Sequence, residues 1–482
     1  MPRRIVVIGG GISGLAAAHH VRELDPDGEL QVLEAGERLG GVLQTRQQDG
    51  ALMEAAADGF LVDPDHAMSL CVRLGLGHEL IGTDPLHRHA AVVYRGRLVP
   101  IPLGFMVMAP ARIAPVLTTP LLSWRAKLRM ALEYLIPAGG GADDESLAGF
   151  VRRRFGREVY ERLVQPLLGG IYAANCEHLS LAAATPRFQQ MEREHGSLIR
   201  AMRRKARVAA TEKAPGARYG QFAALRGGMG TLIQTLARRL PIGSIRTKSS
   251  VSTFEPIDQS RWALMVDGHE PERIVADGVI IATPAHQSAP LVSNSDPLLA
   301  EYLAAMPYNS CAVVSLVYAR GQIADPLVGS GFVVPLVERR LILSGSFASL
   351  KYAGRAVDGS VLLWIFLGGG CHAGLMRLPS EELQELAHQE AAALLCIRGR
   401  PQSMWVARHE LAMPEYRIGH LDLLSAIDAR MERHPTLAVA GNAYRGVGLP
   451  HCIQGGEAAA LRVCRALVGK TDPQLVGAVG TL

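Results

Sequence analysis

The stretch of sequence that decides the fold is residues 4 to 41, RIVVIGGGISGLAAAHHVRELDPDGELQVLEAGERLGG. Ile5 to Ile8 is a short apolar run bounded by glycine, as expected of a buried parallel strand. The G-x-G-x-x-G spacing follows at Gly9, Gly11 and Gly14. In that spacing the first glycine allows a tight turn and the second lets a phosphate approach the backbone, while the third lets helix and strand pack closely. The segment Ser13 to Leu24 predicts a helix whose first N–H groups are free to bind an anion.

A second strand and an acidic residue complete this unit. Leu30 to Leu33 predicts the strand, and Glu34 follows it, twenty positions after Gly14, where a carboxylate can bond ribose hydroxyls. The alternative is a secretory signal peptide, because Arg3 and Arg4 precede an apolar stretch. Three glycines would weaken the helical core of a signal peptide, and Glu34 would have no role in it. The sequence therefore favours a nucleotide site.

Composition limits the class of protein and its partners. The chain has 482 residues, 48% of them hydrophobic, enough for a large core divided among two or three domains. Its seven cysteines contain no C-x-x-C pair, which argues against a disulfide framework or a zinc site and predicts a cytoplasmic location. The formal charge of +5 suits an anionic small molecule or an acidic membrane surface. It lacks the concentrated basic stripe of a nucleic-acid binder, so we expect no nucleic-acid partner.

One apolar region has two interpretations. Residues 98–124 are apolar but broken by prolines, and no segment of the chain is long and pure enough for a transmembrane helix. Basic residues follow at Arg125, Lys127 and Arg129. The region is either a helical subdomain that packs on itself, or a surface that sits on a bilayer or forms the mouth of a channel for an apolar substrate. The second interpretation predicts a peripheral protein on the cytoplasmic face of a membrane.

The middle of the chain changes from helical to mixed patterns. Residues 86–210 read as mostly helical, with helices at Asp144–Phe155 and Arg157–Leu168, a linker at Ala138–Gly141 and a solvated basic helix face at Arg203–Arg207. An α/β pattern restarts at Gly227-Gly228-Met229-Gly230. It predicts a helix at Thr231–Leu240 and strands near Ile245–Phe254, Trp262–Val266 and Val279–Ala282.

The last third predicts a second sheet and a return to the first domain. Four β-rich runs separated by turn residues suggest an antiparallel sheet: Ala312–Tyr318, Phe332–Val337, Leu341–Phe347 and Val361–Leu367. A helix is predicted at Ser380–Cys396. The chain then closes with a strand at Leu437–Ala440, a glycine-rich loop and a helix from Gly456 to Val468. Since this order mirrors the N-terminal arrangement, we expect the last residues to complete the first domain.

A resemblance to a known family extends this interpretation. The loop AGNAYRGVGLPHCIQGGEAAA at residues 440–460, joined to the N-terminal unit and to Arg38–Gly41, resembles the protoporphyrinogen and coproporphyrinogen oxidases of heme synthesis. These belong to the flavin amine-oxidase-like superfamily. The similarity runs along essentially the whole chain and includes Gly169–Tyr172, Met191–Ile199, Gly227-Gly228, Pro414–Tyr416 and Gly419-His420.

The resemblance implies an α/β fold in three parts. A Rossmann-like FAD-binding domain would be built from residues 1–85, 211–283 and 434–470. An inserted helical domain, membrane-associating or channel-forming, would occupy residues 86–210. A substrate-binding domain with an antiparallel sheet would span residues 284–433.

The resemblance also implies which residues hold a non-covalent FAD. The glycine turn would cradle the pyrophosphate, Glu34 would hold the ribose, Val251 would lie at the adenine, and a helix N-terminus near the pyrimidine end would stabilise reduced flavin. The cofactor-binding set comprises Gly9, Gly10, Gly11, Ile12, Ser13, Gly14, Glu34, Ala35, Gly41, Val42, Ala56, Ala57, Asp58, Gly59, Val251, His409, Val447, Gly448 and Leu449.

A second implied set would line the tetrapyrrole pocket. It comprises Gly170, Gly331, Phe332, Val333, Ile342, Phe347 and Phe366. From the sequence alone, Val333, Ile342 and Phe366 are more typical of core than of ligand contacts, and only the resemblance raises them to candidates.

The implied reaction is oxidation of protoporphyrinogen IX to protoporphyrin IX. Flavin N5 would accept hydride and pass electrons to molecular oxygen, giving hydrogen peroxide, so no catalytic side chain is assigned. Arginines at the rim would meet the propionates. Coproporphyrinogen III, with four carboxylates instead of two, is the near alternative. An amine oxidase, a carotenoid-type desaturase and a flavin-binding module without turnover are more distant, and the oligomeric state is left open, with a homodimer as one option.

Two departures from the family pattern lie beside the expected flavin site. Ala56-Ala57 stands where the family usually has Gly-Pro, and His409 stands where it usually has tryptophan. Both put the exact substrate in doubt, and Ala56-Ala57 keeps the non-catalytic alternative open.

Overall fold

The structure is a computed structural model that describes residues 2–139, 144–211, 221–258, 261–267 and 271–468. The end of the predicted linker Ala138–Gly141 and the last two positions of the predicted segment 434–470 lie outside these residues. The described chain folds around two sheets, one parallel and one largely antiparallel, with a group of helices beside them.

The first sheet is parallel throughout and has the first strand of the chain at its centre. Its five strands, in order across the sheet, are Ile245–Arg246, Glu29–Leu33, Arg4–Ile8, Gly278–Ile281 and Leu437–Val439. Burial on both faces explains the continuous apolar runs of its inner strands. The last strand, Leu437–Val439, pairs with Gly278–Ile281, so the end of the chain does return to the first unit.

Two long helices pack closely against each other over this sheet. Ile12–Leu24 follows the first strand, and Leu449–Val468 closes the described chain. A Cβ added at Gly456 would lie 2.3 Å from the carbonyl oxygen of Ser13, so only glycine allows this approach. The prediction that the last helix begins at Gly456 is wrong, because it begins seven residues earlier. Pro450 fits the first turn of a helix, and Gly456 serves helix packing rather than a loop.

Smaller strands and helices complete the first unit. An antiparallel sheet contains Ser250–Pro256, Trp262–Asp267 and Glu272–Ala276, and another contains Phe60–Leu61, Phe222–Leu225 and Leu80–Gly82. Thr45–Gln48 pairs with Ala51–Glu54. Around them lie the helices His66–Arg73, Gly230–Arg239, Ala285–Val292, Pro297–Ala304 and His420–Met431.

The second sheet has seven strands and is antiparallel except at one pair. In order they are Ser403–Pro414, Tyr308–Ala319, Ser360–Gly368, Ile342–Phe347, Gly331–Val333, Ala90–Tyr94 and Arg97–Pro100. Gly331–Val333 pairs in parallel with Ala90–Tyr94. The helix Ser380–Leu395 packs on one face. Assigning residues 86–210 to a helical segment is therefore wrong for Ala90–Tyr94 and Arg97–Pro100, which form a hairpin. Ala90–Tyr94 joins this hairpin to a strand more than 200 residues later.

The remaining part of residues 101–211 is mostly helical. Its α-helices are Ala114–Thr118, Trp124–Ala131, Leu147–Phe155, Arg157–Val159, Gln165–Tyr172, Leu181–Ala184, Pro186–His195 and Leu198–Thr211. The predicted helix Arg157–Leu168 contains a π turn at Tyr160–Val164, just before Pro166, which has no N–H to donate. Arg203–Arg207 is an exposed helix face, as predicted. Among the described residues, no helix combines the length and apolar character needed to cross a bilayer.

Candidate active site

The three glycines of the first turn meet three different requirements. Gly9 has φ +104°, and a Cβ at Gly14 would lie 1.9 Å from the carbonyl oxygen of Gly9. A Cβ at Gly11, in contrast, would meet nothing within 4 Å. Gly11 is also the N-cap of the helix Ile12–Leu24, and no side chain caps that end. The backbone of Gly11 thus borders open space at the positive end of a helix, which suits a pyrophosphate.

The carboxylate of Glu34 is fixed beside this turn. Its two oxygens accept hydrogen bonds from the N–H groups of Gly10 and Gly36, each at 2.7 Å. The following residue, Ala35, is exposed. The second strand therefore places an acceptor next to the glycine turn, as binding of a nucleotide ribose requires.

Two further segments border the glycine turn. Gly41 has φ +58°, and its Cβ position would lie 3.4 Å from the Cα of Gly11. The neighbouring Val42 is exposed, while Arg38 Nη2 donates to the carbonyl of Gly41 at 2.7 Å. Val251 is buried in the same hydrophobic cluster as Ile8 and Leu33. Its side chain is core, so a role at the adenine would fall to its backbone.

The segment that departs from the family pattern is held at both ends. The carbonyl of Ala55 lies 2.8 Å from His409 Nε2, and Asp58 forms an ion pair with Lys351 Nζ at 2.9 Å. A Cβ at Gly59 would lie 2.5 Å from both the Ala223 carbonyl oxygen and the Tyr352 hydroxyl. Burial lowers the pKa of His409, which favours a neutral imidazole that donates from Nε2. His409 therefore acts on the backbone next to Ala56-Ala57.

One buried carboxyl group near this segment was missed by the sequence analysis. Glu54 is fully buried and accepts hydrogen bonds from the Thr45 hydroxyl and the Met229 N–H, both at 2.7 Å. Burial raises the pKa of Glu54 to about 7. A Cβ at Gly228 would lie 2.6 Å from Glu54 Oε1, which explains the glycine there. Two features of the sequence could have indicated this contact: a single acid in the apolar strand Ala51–Glu54, and the glycine pair Gly227-Gly228.

The C-terminal loop ends at the start of the last helix. Val447 packs against the hydrophobic cluster of the helical part, and Leu449 begins the helix. Gly446 has φ +136°, and a Cβ there would lie 2.5 Å from the His451 ring. Gly448 lies between the packed Val447 and Leu449, the first residue of the helix. The residues predicted at the flavin ring thus occupy one short connection between the final strand and helix.

The second sheet brings some of the predicted substrate residues together. Strand register aligns Val333 with Ser344 and Ser344 with Phe366. Val333 packs against the same helical cluster as Val447. A Cβ at Gly170 would lie 3.9 Å from Ser344 Oγ, so the helix Gln165–Tyr172 reaches this row. Gly170, Val333 and Phe366 therefore lie along one row of the sheet face opposite the helix Ser380–Leu395.

The other predicted substrate residues do not reach that place. Phe332, Ile342 and Phe347 are buried in the cluster beneath the helix Ser380–Leu395, and the Phe332 and Phe347 rings lie 5.9 Å apart. Their prediction as substrate contacts is wrong for the side chains, because neighbouring strand residues point to opposite faces of the sheet. Gly331 has φ +150°, and a Cβ would lie 2.3 Å from the Gly345 carbonyl oxygen, so its role is close strand packing.

Two of the three basic residues that follow the apolar region 98–124 form hydrogen bonds within the protein. Lys127 is buried and Nζ donates to the Leu117 carbonyl at 2.8 Å, while Arg129 donates to the carbonyls of Arg153 and Arg154. Neither cation is free for a surface. Two clefts of about 380 and 400 Å³ flank the basic helix Leu198–Thr211 instead. Within the described ranges, no group of His, Cys, Asp or Glu side chains could hold a metal ion.

Known proteins resemble this chain over nearly its full length. A family model described as flavin containing amine oxidoreductase matches residues 12–464. Coproporphyrinogen III oxidase of Bacillus subtilis (strain 168) is 31% identical over 95% of this chain and 97% of its own. That of Propionibacterium freudenreichii subsp. freudenreichii is 32% identical over 97% and 92%. Protoporphyrinogen oxidase of Bos taurus is 30% identical over 96% and 98%.

Solved structures share the fold. A protein of Exiguobacterium sp. 255-15, assigned provisionally as a protoporphyrinogen oxidase, superposes with a TM-score of 0.85 at 29% identity, covering 97% of this chain and 100% of its own. Cyclohexylamine oxidase from Brevibacterium oxydans IH-35A gives a TM-score of 0.69 at 17% identity, over 97% and 100%. At that identity the likeness concerns the fold alone.

Proposed function

Because this chain belongs to the flavin-containing amine oxidoreductase family, we propose that it is a porphyrinogen oxidase whose substrate is coproporphyrinogen III. The chain is an FAD-dependent oxidoreductase, and the fold is the α/β architecture of that family. Its relatives extend the assignment to porphyrinogens. The finer choice of substrate rests on the full-length similarity to coproporphyrinogen III oxidases of two bacteria.

The arrangement of the site supports this function. The open backbone at Gly11 fits a pyrophosphate, and the loop that ends at Val447 packs against the same cluster as Val333. These features support a cofactor side that adjoins the sheet face Val333–Ser344–Phe366. A flat apolar macrocycle stacked against that face would lie beside the loop.

The chemistry makes few demands on acid–base side chains. FAD supplies the hydride acceptor, and the residues of this chain bind it, orient the macrocycle and exclude water. His409 is one candidate base, but its Nε2 is engaged by the carbonyl of Ala55 and burial lowers its pKa. The protons released come from pyrrole nitrogens, and water or a propionate can relay them. We therefore assign no catalytic side chain.

Protoporphyrinogen IX is the second candidate. The bovine relative supports it, as does the apolar surface described below, since a substrate with two carboxylates partitions into lipid more readily than one with four. Protoporphyrinogen IX, the substrate expected from the sequence, therefore stays a prediction.

The test supplies each porphyrinogen separately to the FAD-loaded protein in air and follows porphyrin fluorescence against spontaneous oxidation. We expect kcat/KM to be at least tenfold higher for coproporphyrinogen III. The reverse ratio would identify the second candidate. If FAD-loaded wild type oxidises neither porphyrinogen faster than the Gly11→Val variant does, the porphyrinogen assignment is overturned. An amine panel with peroxide detection covers the amine oxidase alternative.

We also propose that part of the helical surface docks on an anionic membrane. Eight large apolar side chains between residues 103 and 135 are exposed: Leu103, Met106, Ile113, Leu117, Trp124, Leu128, Leu132 and Leu135. Trp124, Leu128 and Leu135 are 69%, 66% and 77% exposed. Their spacing places them along one side of the helix Trp124–Ala131 and the turn Leu132–Leu135.

Basic groups lie beside this apolar surface. Arg203 Nη1 donates to the Tyr134 hydroxyl at 3.2 Å, which joins the turn to the basic helix. Arg112, Arg203 and Arg207 line one cleft beside Ile113, and Arg204 and Lys205 line the other. An apolar stripe bordered by cations fits the interface of a bilayer with anionic headgroups.

Flotation with vesicles tests the docking surface. We expect wild type to float at low salt with vesicles containing phosphatidylglycerol, and less with phosphatidylcholine alone. Replacing Trp124 and Leu128 with serine should abolish flotation, whereas Ile242→Ser, at an exposed apolar residue elsewhere, should not. Equal flotation of both variants would overturn the proposal. Oxygen as acceptor, a cytoplasmic location and the oligomeric state remain predictions.

A further inference from the structure

Tyr416 connects two points of the loop formed by residues 442–448. Its ring is fully buried, and its hydroxyl donates to the carbonyl of Asn442 at 2.5 Å. The same hydroxyl accepts a hydrogen bond from the N–H of Gly446 at 2.9 Å. Both partners of the hydroxyl are backbone groups, so the Tyr416 side chain bridges positions 442 and 446 of the loop.

His420 adds a third point of attachment. Its ring stacks on the Tyr416 ring, with centroids 4.1 Å apart and planes inclined by 15°. Nε2 lies 3.2 Å from the carbonyl oxygen of Tyr444, which makes Nε2 the donor. Burial lowers the pKa of His420, favouring the neutral ring that stacks without a charge to desolvate.

The 442–448 loop is also held near its start, where Asn442 Nδ2 donates to the Ala412 carbonyl at 2.9 Å and Ala443 and Tyr444 are buried. It connects the strand Leu437–Val439 to the helix Leu449–Val468 without regular secondary structure. Gly446 has φ +136°, a backbone conformation that glycine adopts without steric cost but that glycine alone does not fix. Val447 and Gly448 follow at once, and these are the residues expected at the flavin ring. Their position therefore depends on what fixes Gly446.

Tyr416 is also tied to the helical part. Its carbonyl accepts from the N–H of Ser180 at 2.7 Å. Its ring centroid lies 6.5 Å from that of Tyr172, two residues after Gly170 on the predicted substrate wall. One residue thus contacts both the loop at the cofactor and the wall of the substrate pocket.

We propose that Tyr416 and His420 are a positioning pair that holds the 442–448 loop in the conformation needed beside FAD. The pair acts through the backbone of Asn442, Tyr444 and Gly446. This inference rests on the FAD cofactor of the proposed function, but not on the identity of the substrate.

A second buried pair in the same chain provides a matched control. The Tyr318 hydroxyl lies 2.8 Å from His388 Nδ1, and Tyr318 is fully buried. Tyr318 belongs to the cluster beneath the helix Ser380–Leu395, on the sheet face that also buries Phe332 and Phe347. Losing either tyrosine hydroxyl removes a buried hydrogen bond, but only Tyr416 contacts the loop.

The experiment compares Tyr416→Phe with Tyr318→Phe. Each apoprotein is titrated with FAD by flavin fluorescence, and the visible flavin spectrum and redox potential are recorded for each loaded protein. For Tyr416→Phe we expect at least a tenfold rise in the Kd for FAD and a shift of the flavin bands. For Tyr318→Phe we expect a lower melting temperature with the Kd within twofold of wild type.

A second pair of variants keeps the test informative if Tyr416→Phe does not fold. His420→Gln retains a donor for the Tyr444 carbonyl, whereas His420→Leu retains only bulk, so we expect the glutamine to rescue FAD affinity and the leucine not to. Unchanged FAD affinity, spectrum and potential in both Tyr416→Phe and His420→Leu would overturn the proposal. A wild type that binds FAD but oxidises no porphyrinogen would refute only the proposed function.

Discussion

His409 Nε2 lies 2.8 Å from the carbonyl oxygen of Ala55, although 354 positions separate the two residues. This bond joins the strand Ser403–Pro414 of the second sheet to the segment that begins Ala55-Ala56-Ala57. His409, one of the two departures from the family pattern, thus holds the backbone next to Ala56-Ala57, the other departure.

His409→Ala is expected to slow flavin reduction by less than about a hundredfold, because a positioned base usually contributes at least that much and His409 is not one. Most of its effect should fall on FAD affinity, through the loss of the Ala55 contact. Anaerobic stopped-flow reduction of FAD-saturated protein measures the rate. His409→Gln, which keeps a donor, is the control. A thousandfold loss with flavin fully bound would make His409 a catalytic base.

Gly11→Val and Gly14→Val should fail in different ways. A Cβ at Gly11 meets no protein atom within 4 Å, so the variant should fold and yet bind no FAD, since the added methyls occupy the phosphate space. At Gly14 a Cβ would overlap the Gly9 carbonyl oxygen, so that variant should not fold. Circular dichroism and flavin content separate the two. Glu34→Ala should weaken FAD binding less than Gly11→Val, because only hydrogen bonds are lost. A full flavin complement in Gly11→Val would show that the cradle is elsewhere.

The flavin should be released completely by acid. Cys452, the cysteine nearest the C-terminal loop, is buried, and its Sγ lies 3.9 Å from the Val447 carbonyl. Burial raises the pKa of the Cys452 thiol to about 12, so it stays protonated and is a poor nucleophile. Precipitation with trichloroacetic acid should leave all yellow colour in the supernatant, in wild type and in Cys452→Ala alike. Colour that remains in the wild-type pellet would contradict non-covalent binding.

Glu54 should make stability depend on pH. Its pKa is about 7 in the folded protein against 4.5 in the unfolded chain, so the folded state holds the extra proton between those values. Stability is therefore greatest below pH 4.5 for this group and falls as pH rises to 7, by at most about 3 kcal/mol.

The measurement compares melting temperatures of wild type and Glu54→Gln between pH 5 and 8. The glutamine keeps an acceptor for Met229 N–H and a donor towards Thr45 but cannot ionise. We expect the melting temperature of the variant to rise relative to that of wild type as pH rises, and this difference to level off above pH 7. A constant difference across the range would mean that Glu54 does not titrate there.

Residues 4 to 41 determined the nucleotide-binding unit by themselves, because its strand, turn, helix and acid are neighbours in sequence and their spacing reflects local geometry. The antiparallel character of the strands between residues 308 and 368 was likewise readable from turns. Similarity along the whole chain, and not the pattern, identified the family.

Only the tertiary structure decided which side chains face the site. Alternation along a strand separates Phe332 from Val333, but it cannot say which of the two faces the helix Ser380–Leu395 will cover. Nor could spacing reveal that Ala90–Tyr94 joins the second sheet or that Glu54 meets Gly228. These outcomes depend on contacts between segments far apart in the chain. Local propensity carries no information about them, because burial and pairing are settled only when the domains pack.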